Sequence, residues 1–387
     1  MIYRISDVSA VSPNELIICN LITKKRYKCS ECIIQAISFF KNKLFSLSEF
    51  EKYCSECMPS SNLRDVISQL VKLKIIVSKD DDETFCIIPH PFPLIGKEEY
   101  TKNINELNNN IVIVGFPYGK GNSISTKTAE FPFKIRTFCR NNKISGIVKN
   151  FIHSPRNIRM IDIGDLYIYD LEEPNIVLNK INKVVSQLVS QNNKLLSLGG
   201  DHSITLPIIE AFSKYYKNIN IIQLDAHTDV YNSQIHTAYM NKGYTHVHHG
   251  NFMQKIKTLS SVDKILTCGI RGNNNIYVKE KPDDKTENYS NIEELISRIA
   301  QIPQTSFTYL TIDIDFFDSL LAPGTATPEI CGANYIEFCK IIDKLKEVNL
   351  IGIDLTEVNP TLDNTCKTMQ LSFRIIVDAL KLLCYGV

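Results

Sequence analysis

Ile221-Ile222-Gln223-Leu224-Asp225-Ala226-His227-Thr228-Asp229 reads as an apolar strand that ends in alternating acids and an imidazole. If the segment stays extended, Asp225, His227 and Asp229 share one face, because strand side chains alternate with period two. The plan recurs twice. Apolar residues 194–198 run into Gly199-Gly200-Asp201-His202-Ser203, where the glycines allow a tight turn and His202 offers a nitrogen ligand. Residues 306–310 lead into Thr311-Ile312-Asp313-Ile314-Asp315, which puts Asp313 and Asp315 on a common face by the same alternation.

Working outward, apolar strands are predicted at 111–114, 194–198, 220–224, 264–268, 309–314 and 350–355, each followed by a helical segment. Near-continuous apolar strands alternating with helices predict an α/β fold with a buried parallel sheet. Ligands of such sheets sit beyond the carboxyl ends of the strands, where the polar motifs fall. The three motifs supply four carboxylates and two imidazoles. That mixed oxygen and nitrogen set suits Mn²⁺ and disfavours a thiolate-seeking metal. Two ions sharing carboxylates lower the pKa of a bound water. Each fragment alone is weak, since Asp-X-Asp is commonly a solvated loop and Gly-Gly-Asp-His a turn with a helix cap. The weight lies in their combination.

The text changes near residue 90. Before it, helices are predicted at 31–42, 48–57 and 61–73, the last with Leu63, Val66, Ile67, Leu70 and Leu73 at helical spacing. Strands at 74–78 and 84–88 flank an acidic turn at Asp80, Asp81 and Asp82. Three helices and a hairpin give the order of a winged helix. The domains expected are residues 1–90 as a winged-helix-like recognition domain, 91–109 as a linker, and 110–387 as the catalytic domain.

The chain has 387 residues, with Lys plus Arg 43 against Asp plus Glu 42, so net charge signals no polyanionic partner. No apolar run reaches the roughly 18 residues of a membrane span, and the N-terminus lacks the plan of a signal peptide. A cytoplasmic protein is expected. Its 12 cysteines are then read as free thiols or metal ligands rather than disulfides.

Residues from about 110 to 387 resemble the ureohydrolases, the family of arginase and agmatinase. The resemblance rests on the three motifs above, and on Ala322-Pro323-Gly324-Thr325 and Glu357-Val358-Asn359-Pro360 in the family's order. Cys268-Gly269-Ile270-Arg271, Ile163-Gly164-Asp165 and Val114-Gly115-Phe116-Pro117 add to it. It implies a three-layer α/β/α fold and two manganese ions. One ion would be held by His202, Asp225, Asp229 and Asp313, the other by His227, Asp225, Asp313 and Asp315. It further implies that a water activated between the ions attacks the guanidinium carbon, releasing urea and an amine. Asp229 would orient that water and help move its proton. Glu357 would pair with the guanidinium, whose donors need an acceptor. His249 would carry a proton to the leaving amine, with His246 and His248 as neighbours easily confused with it. Family members often form trimers or hexamers, so a homo-oligomer is implied.

The departures concern specificity. Arginases carry an Asn two residues after the last Asp of the second motif, where it helps bind the amino acid's carboxylate; here that place is Tyr231. Free arginine is disfavoured, and Tyr231 becomes a substrate-binding candidate. The Gly-rich text after Pro117 is altered at 123–133, and Asp318-Ser319 replaces the usual Asp-Pro. Residues 1–90 hold 12 Lys plus Arg against 11 Asp plus Glu, a poor electrostatic footprint for nucleic acid. Small winged helices of this kind are similar to the leader-binding domains of enzymes that modify ribosomally made peptides, which capture an extended peptide along one edge. The expected reaction is conversion of peptidyl arginine to ornithine in a precursor peptide. Alternatives are an agmatinase-like hydrolase of a small free guanidine, a DNA-binding regulator with a ureohydrolase-like sensor, and an enzyme of the related deacetylase group. Glu357 and the full ligand set speak against the last two. Finally, Cys29-Ser30-Glu31-Cys32 and Cys54-Ser55-Glu56-Cys57 stand near zinc-site spacing, against a reading as free thiols on packed helices.

Overall fold

The computed structural model describes residues 2–6, 9–13, 15–20, 25–41, 43–57, 59–73, 75–78, 87–94, 104, 107–122, 124–144, 158–168, 172–231, 247–272 and 283–385. The acidic turn at 80–82, Ser123 and residues 232–246, His246 among them, fall outside them. The chain forms two compact units, residues 1–87 with 167–177, and residues 88–166 with 178–387.

The smaller unit begins with β1 (Tyr3–Ile5) and an antiparallel meander of β2 (Ser9–Ser12), β3 (Ile17–Asn20) and β4 (Lys25–Lys28). Helices α1 (Glu31–Phe40), α2 (Leu47–Ser55) and α3 (Ser60–Lys72) follow, then β5 (Ile76–Ser78). Ser46 caps α2 with a full capping box, its hydroxyl taking the Glu49 N–H while the Glu49 carboxylate takes the Ser46 N–H. Ile33, Ile37, Phe40, Phe50, Leu63 and Ile67 fill a separate core. The three helices match the sequence reading within a few residues; the hairpin does not. Strand β5 pairs antiparallel with β1, and the two residues Ile87–Ile88 (β6) form the last strand of the large sheet. The strands before α1 escaped the sequence reading because each is three or four residues long.

The larger unit is built on that sheet. It contains β7 (Ile111–Gly115), α4 (Phe131–Asn141), β8 (Met160–Leu166), β9 (Lys194–Leu198), α5 (Thr205–Phe212) and β10 (Ile219–Leu224). Then come β11 (Val262–Cys268), β12 (Thr286–Tyr289), α6 (Ile292–Ile299), β13 (Phe307–Asp313), α7 (Tyr335–Lys344), β14 (Asn349–Thr356) and α8 (Lys367–Tyr385). The spatial order is β12-β11-β10-β13-β14-β9-β7-β8-β6. Every pairing from β12 through β8 is parallel. Successive residues of β7, β10 and β14 are buried, which requires cover on both faces of the sheet. All strands of the parallel block therefore end on one edge, with the carboxyl ends of β10, β13, β14 and β9 side by side.

Candidate metal centre

Residues just past those four strand ends converge. His202 follows β9, Asp225 follows β10, Asp313 closes β13, and Glu357 follows β14. The alternation expected from period two is not what brings them together. Asp229 bends into the left-handed region at φ 53°, and Asp315 lies in a short 3₁₀ turn, Ile314–Phe316. The side chains nonetheless meet, because these turns fold back over the sheet edge. Gly200 explains the close turn at β9, since a Cβ there would overlap the Tyr118 carbonyl.

Two clusters form, His202 with Asp225 and Asp229, and Asp225 with His227 and Asp315. His202 Nδ1 lies 3.2 Å from a carboxylate oxygen of each of Asp225, Asp229 and Asp313. His227 Nδ1 lies 3.0 Å from Asp315 and 3.7 Å from Asp225. Backbone and side-chain donors fix the acids: His227 N–H and Gln223 Nε2 donate to Asp225, and Ala226 N–H donates to Asp315.

The hydrogen bonds behind His202 test whether a cation fits. Thr311 Oγ1 donates to Asp354 Oδ1 at 2.6 Å, so its oxygen is free to accept from His202 Nε2 at 2.7 Å. With the ring proton on Nε2, the lone pair of Nδ1 points at three carboxylate oxygens, and Nδ1 has no hydrogen-bond partner. Such an arrangement is repulsive unless positive charge sits between them. Protonation shifts say the same. Burial opposes charge on His202, yet the three carboxylates outweigh it and lift its pKa well above the ordinary range. Burial and the neighbouring Asp225 push Asp229 up to about 7. Burial, Asp315 and Asp225 raise Asp313 well above a normal carboxyl. The donor set is oxygen-rich with two imidazoles, which fits a pair of hard divalent cations.

A second group lies beside it. Glu357, at φ 60°, accepts the His202 N–H at 2.9 Å and Asn122 Nδ2 at 2.7 Å. His249 Nδ1 is 3.4 Å from Glu357 Oε1. Burial disfavours charge on both, but the pairing wins, raising His249 and lowering Glu357. His248 is occupied in its own turn, its Nδ1 accepting the Gly250 N–H. Tyr231 is partly buried, its N–H donating to the Gly250 carbonyl, and burial raises the pKa of its hydroxyl.

Several residues of the site were not legible in the sequence. Glu329 Oε1 stands 3.5 Å from His227 Nε2, Thr327 donates to Asp315, and Asn122 holds Glu357. Asp354, Thr205, Tyr309 and Thr311 form the buried network behind His202. Arg271, noted only as part of a motif, donates to the carbonyls of Asp315, Gly269 and Ile330 and braces the 315–330 loop.

The model of the Arginase family matches residues 109–381. Similar relatives include the agmatinase of Cronobacter sakazakii, 28% identical over 273 residues, which span 70% of this chain and 86% of that protein. The agmatinase of Blochmanniella floridana is 34% identical over 212 residues, 54% of this chain and 66% of that protein. A hypothetical agmatinase from Burkholderia thailandensis superposes with a TM-score of 0.61 at 25% identity, covering 74% of this chain and 88% of that one. Proclavaminate amidino hydrolase from Streptomyces clavuligerus shares the fold, with a TM-score of 0.59 at 22% identity over 78% of this chain and 99% of that one.

Proposed function

The chain belongs to the arginase family of C–N hydrolases that cut guanidino groups, and we propose that its substrate is arginine within a peptide, converted to ornithine with release of urea. The observation that carries this reading is the smaller unit. It has its own apolar core and lies almost wholly outside the 109–381 family match. A folded module carried in the same chain as an arginase-family domain supports recognition of something larger than the guanidine. Tyr231 supports it too, because a peptidyl arginine offers no free carboxylate to bind.

Two manganese ions are the metals we assign. His202, Asp225, Asp229 and Asp313 would hold one, and His227, Asp225, Asp313 and Asp315 the other. When bound, the pair supplies a water that ionises near neutral pH. Asp229 orients the attacking water and takes up its proton. Glu357 already accepts from the His202 N–H and Asn122 and pairs with His249, leaving about one of its four lone-pair sites for the guanidinium. His249, held protonated by Glu357, passes its proton to the departing amine nitrogen. Asn122 keeps Glu357 aimed into the site.

A second reading, hydrolysis of a small free guanidine, is favoured by relatives named agmatinase at 28% and 34% identity. Urea release with Mn²⁺ from agmatine, free arginine, guanidinobutyrate and arginine-bearing peptides separates the two. The peptide reading expects the highest kcat/KM on a peptide. Equal or faster turnover of agmatine sinks it and leaves the second.

A further inference from the structure

The two Cys-X-X-Cys pairs lie in the smaller unit, and none of the four is among the residues of the candidate metal centre. Cys32 enters the first turn of α1, Cys54 lies in the last turn of α2, and Cys57 follows just past its end. Cys32 Sγ is 2.9 Å from Cys57 Sγ and 3.6 Å from the Cys54 carbonyl. Cys32 and Cys54 are buried and Cys57 is exposed. As neutral groups these sulfurs gain little from one another, since S–H is a weak donor and S a weak acceptor. Burial pushes the Cys32 thiol up to about 12 and Cys54 up to about 11, so neither ionises unless a cation is present.

We propose that Cys29, Cys32, Cys54 and Cys57 form a structural zinc site that ties the start of α1 to the end of α2. The spacing is Cys-X2-Cys, 21 residues, Cys-X2-Cys, close to that of four-thiolate zinc sites. Cys29 stands three residues before Cys32, the separation at which both sulfurs of such a pair reach one ion. Its sulfur makes a 4.0 Å contact with the Tyr27 carbonyl and packs against the apolar core, so it must turn to join the other three. Each thiol releases its proton to solvent as it binds. The remaining charge is compatible with the helix N-terminus that Cys32 occupies, which favours thiolate. Such a tie suits a unit of this size, whose apolar core alone gives modest stability. Sulfur donors also separate this site from the carboxylate centre, because thiolates select zinc where carboxylates select manganese.

The test uses the full-length protein loaded with Co²⁺ in place of zinc. A sulfur-to-cobalt charge-transfer band in the near ultraviolet reports thiolate ligands alone. It is expected in the wild type, lost in Cys57→Ser, weakened in Cys29→Ser and retained in Asp225→Asn, which damages only the carboxylate centre. Metal analysis of protein purified without chelator is expected to show one zinc per chain that Cys57→Ser lacks. The proposal is overturned if the wild type shows no band. It is equally overturned by a Cys32–Cys57 disulfide in mass spectra, or by a band unchanged in Cys57→Ser.

Discussion

Asp229 and Glu357 hold their backbones at φ 53° and 60°, a region that non-glycine residues enter at a cost of about 1–3 kcal/mol and that recurs at functional sites. The surroundings must overrule local preference to keep them there. For Glu357 the restraint is visible: its carboxylate takes the His202 N–H and Asn122. Glu357→Gln keeps the shape and an acceptor but removes the charge that meets a guanidinium. A charge-assisted hydrogen bond is worth about 2 kcal/mol, so kcat/KM for urea release is expected to fall at least ~30-fold. An unchanged kcat/KM would remove Glu357 from guanidinium binding. At this scale the clustered acids and imidazoles were legible because they sit directly after apolar runs. Asn122 and Glu329 were not, because Asn and Glu are ordinary loop residues. Asn122 acts on a partner 235 positions away.

Elements carry the support behind those residues. Strands β13 and β14 lie side by side, so Thr311 of one can donate to Asp354 of the other while accepting from His202. Thr311→Val keeps the volume and breaks both links. Loss of such a partner typically costs 10–100-fold in metal affinity, and competition with a chelator should read a weakening of that order. Affinity equal to wild type would mean that His202 needs no brace.

Helix α4 is tied to β8 by another buried group. Arg136 reaches Asp162 with two hydrogen bonds of 2.8 and 2.9 Å and also pairs with Asp165. Burial alone would raise the Asp162 carboxyl, but Arg136 and the Leu94 and Gly164 N–H groups hold it below its usual value. A depressed carboxylate contributes stability above its unfolded pKa of about 3.9 and loses it as pH falls through the folded value. Asp162→Asn should therefore cost about 3–5 kcal/mol at pH 7, seen as an earlier urea midpoint, with the gap narrowing below about pH 4. A gap constant across that range would contradict the pairing. The parallel strands at this scale were readable from continuous apolar text. The hairpin in the smaller unit was misjudged because pattern gives a strand its type, not its partner, and β5 found β1 some 70 positions upstream.

For the whole molecule, candidate ligands gathered on one sheet edge would make metal binding and folding of the larger unit a linked equilibrium. Manganese at a hundred times its Kd should stabilise that unit by about 2.7 kcal/mol, visible as a rise in thermal midpoint that a chelator reverses. No rise on loading would count against these residues as the metal's ligands. Among the described residues no helix is long and apolar enough to cross a membrane. The arginase fold could be read from the sequence because its motifs sit at strand ends in a fixed order. The N-terminal strands could not, since three or four residues such as Lys25–Lys28 carry no period.

The strand order has a bearing on how the protein is made. His202 and Asp225 leave the ribosome close together, on the ends of β9 and β10, yet β14 and β13 stand between those strands in the finished sheet. Both separating strands are synthesised about 80 residues or more after Asp225. A nascent chain stopped before residue 349 would lack the β14 strand that spaces its first two ligand motifs. The clustered acids and imidazoles thus come together only late in synthesis, and a chain terminated before β14 lacks the strand that spaces them in the finished sheet.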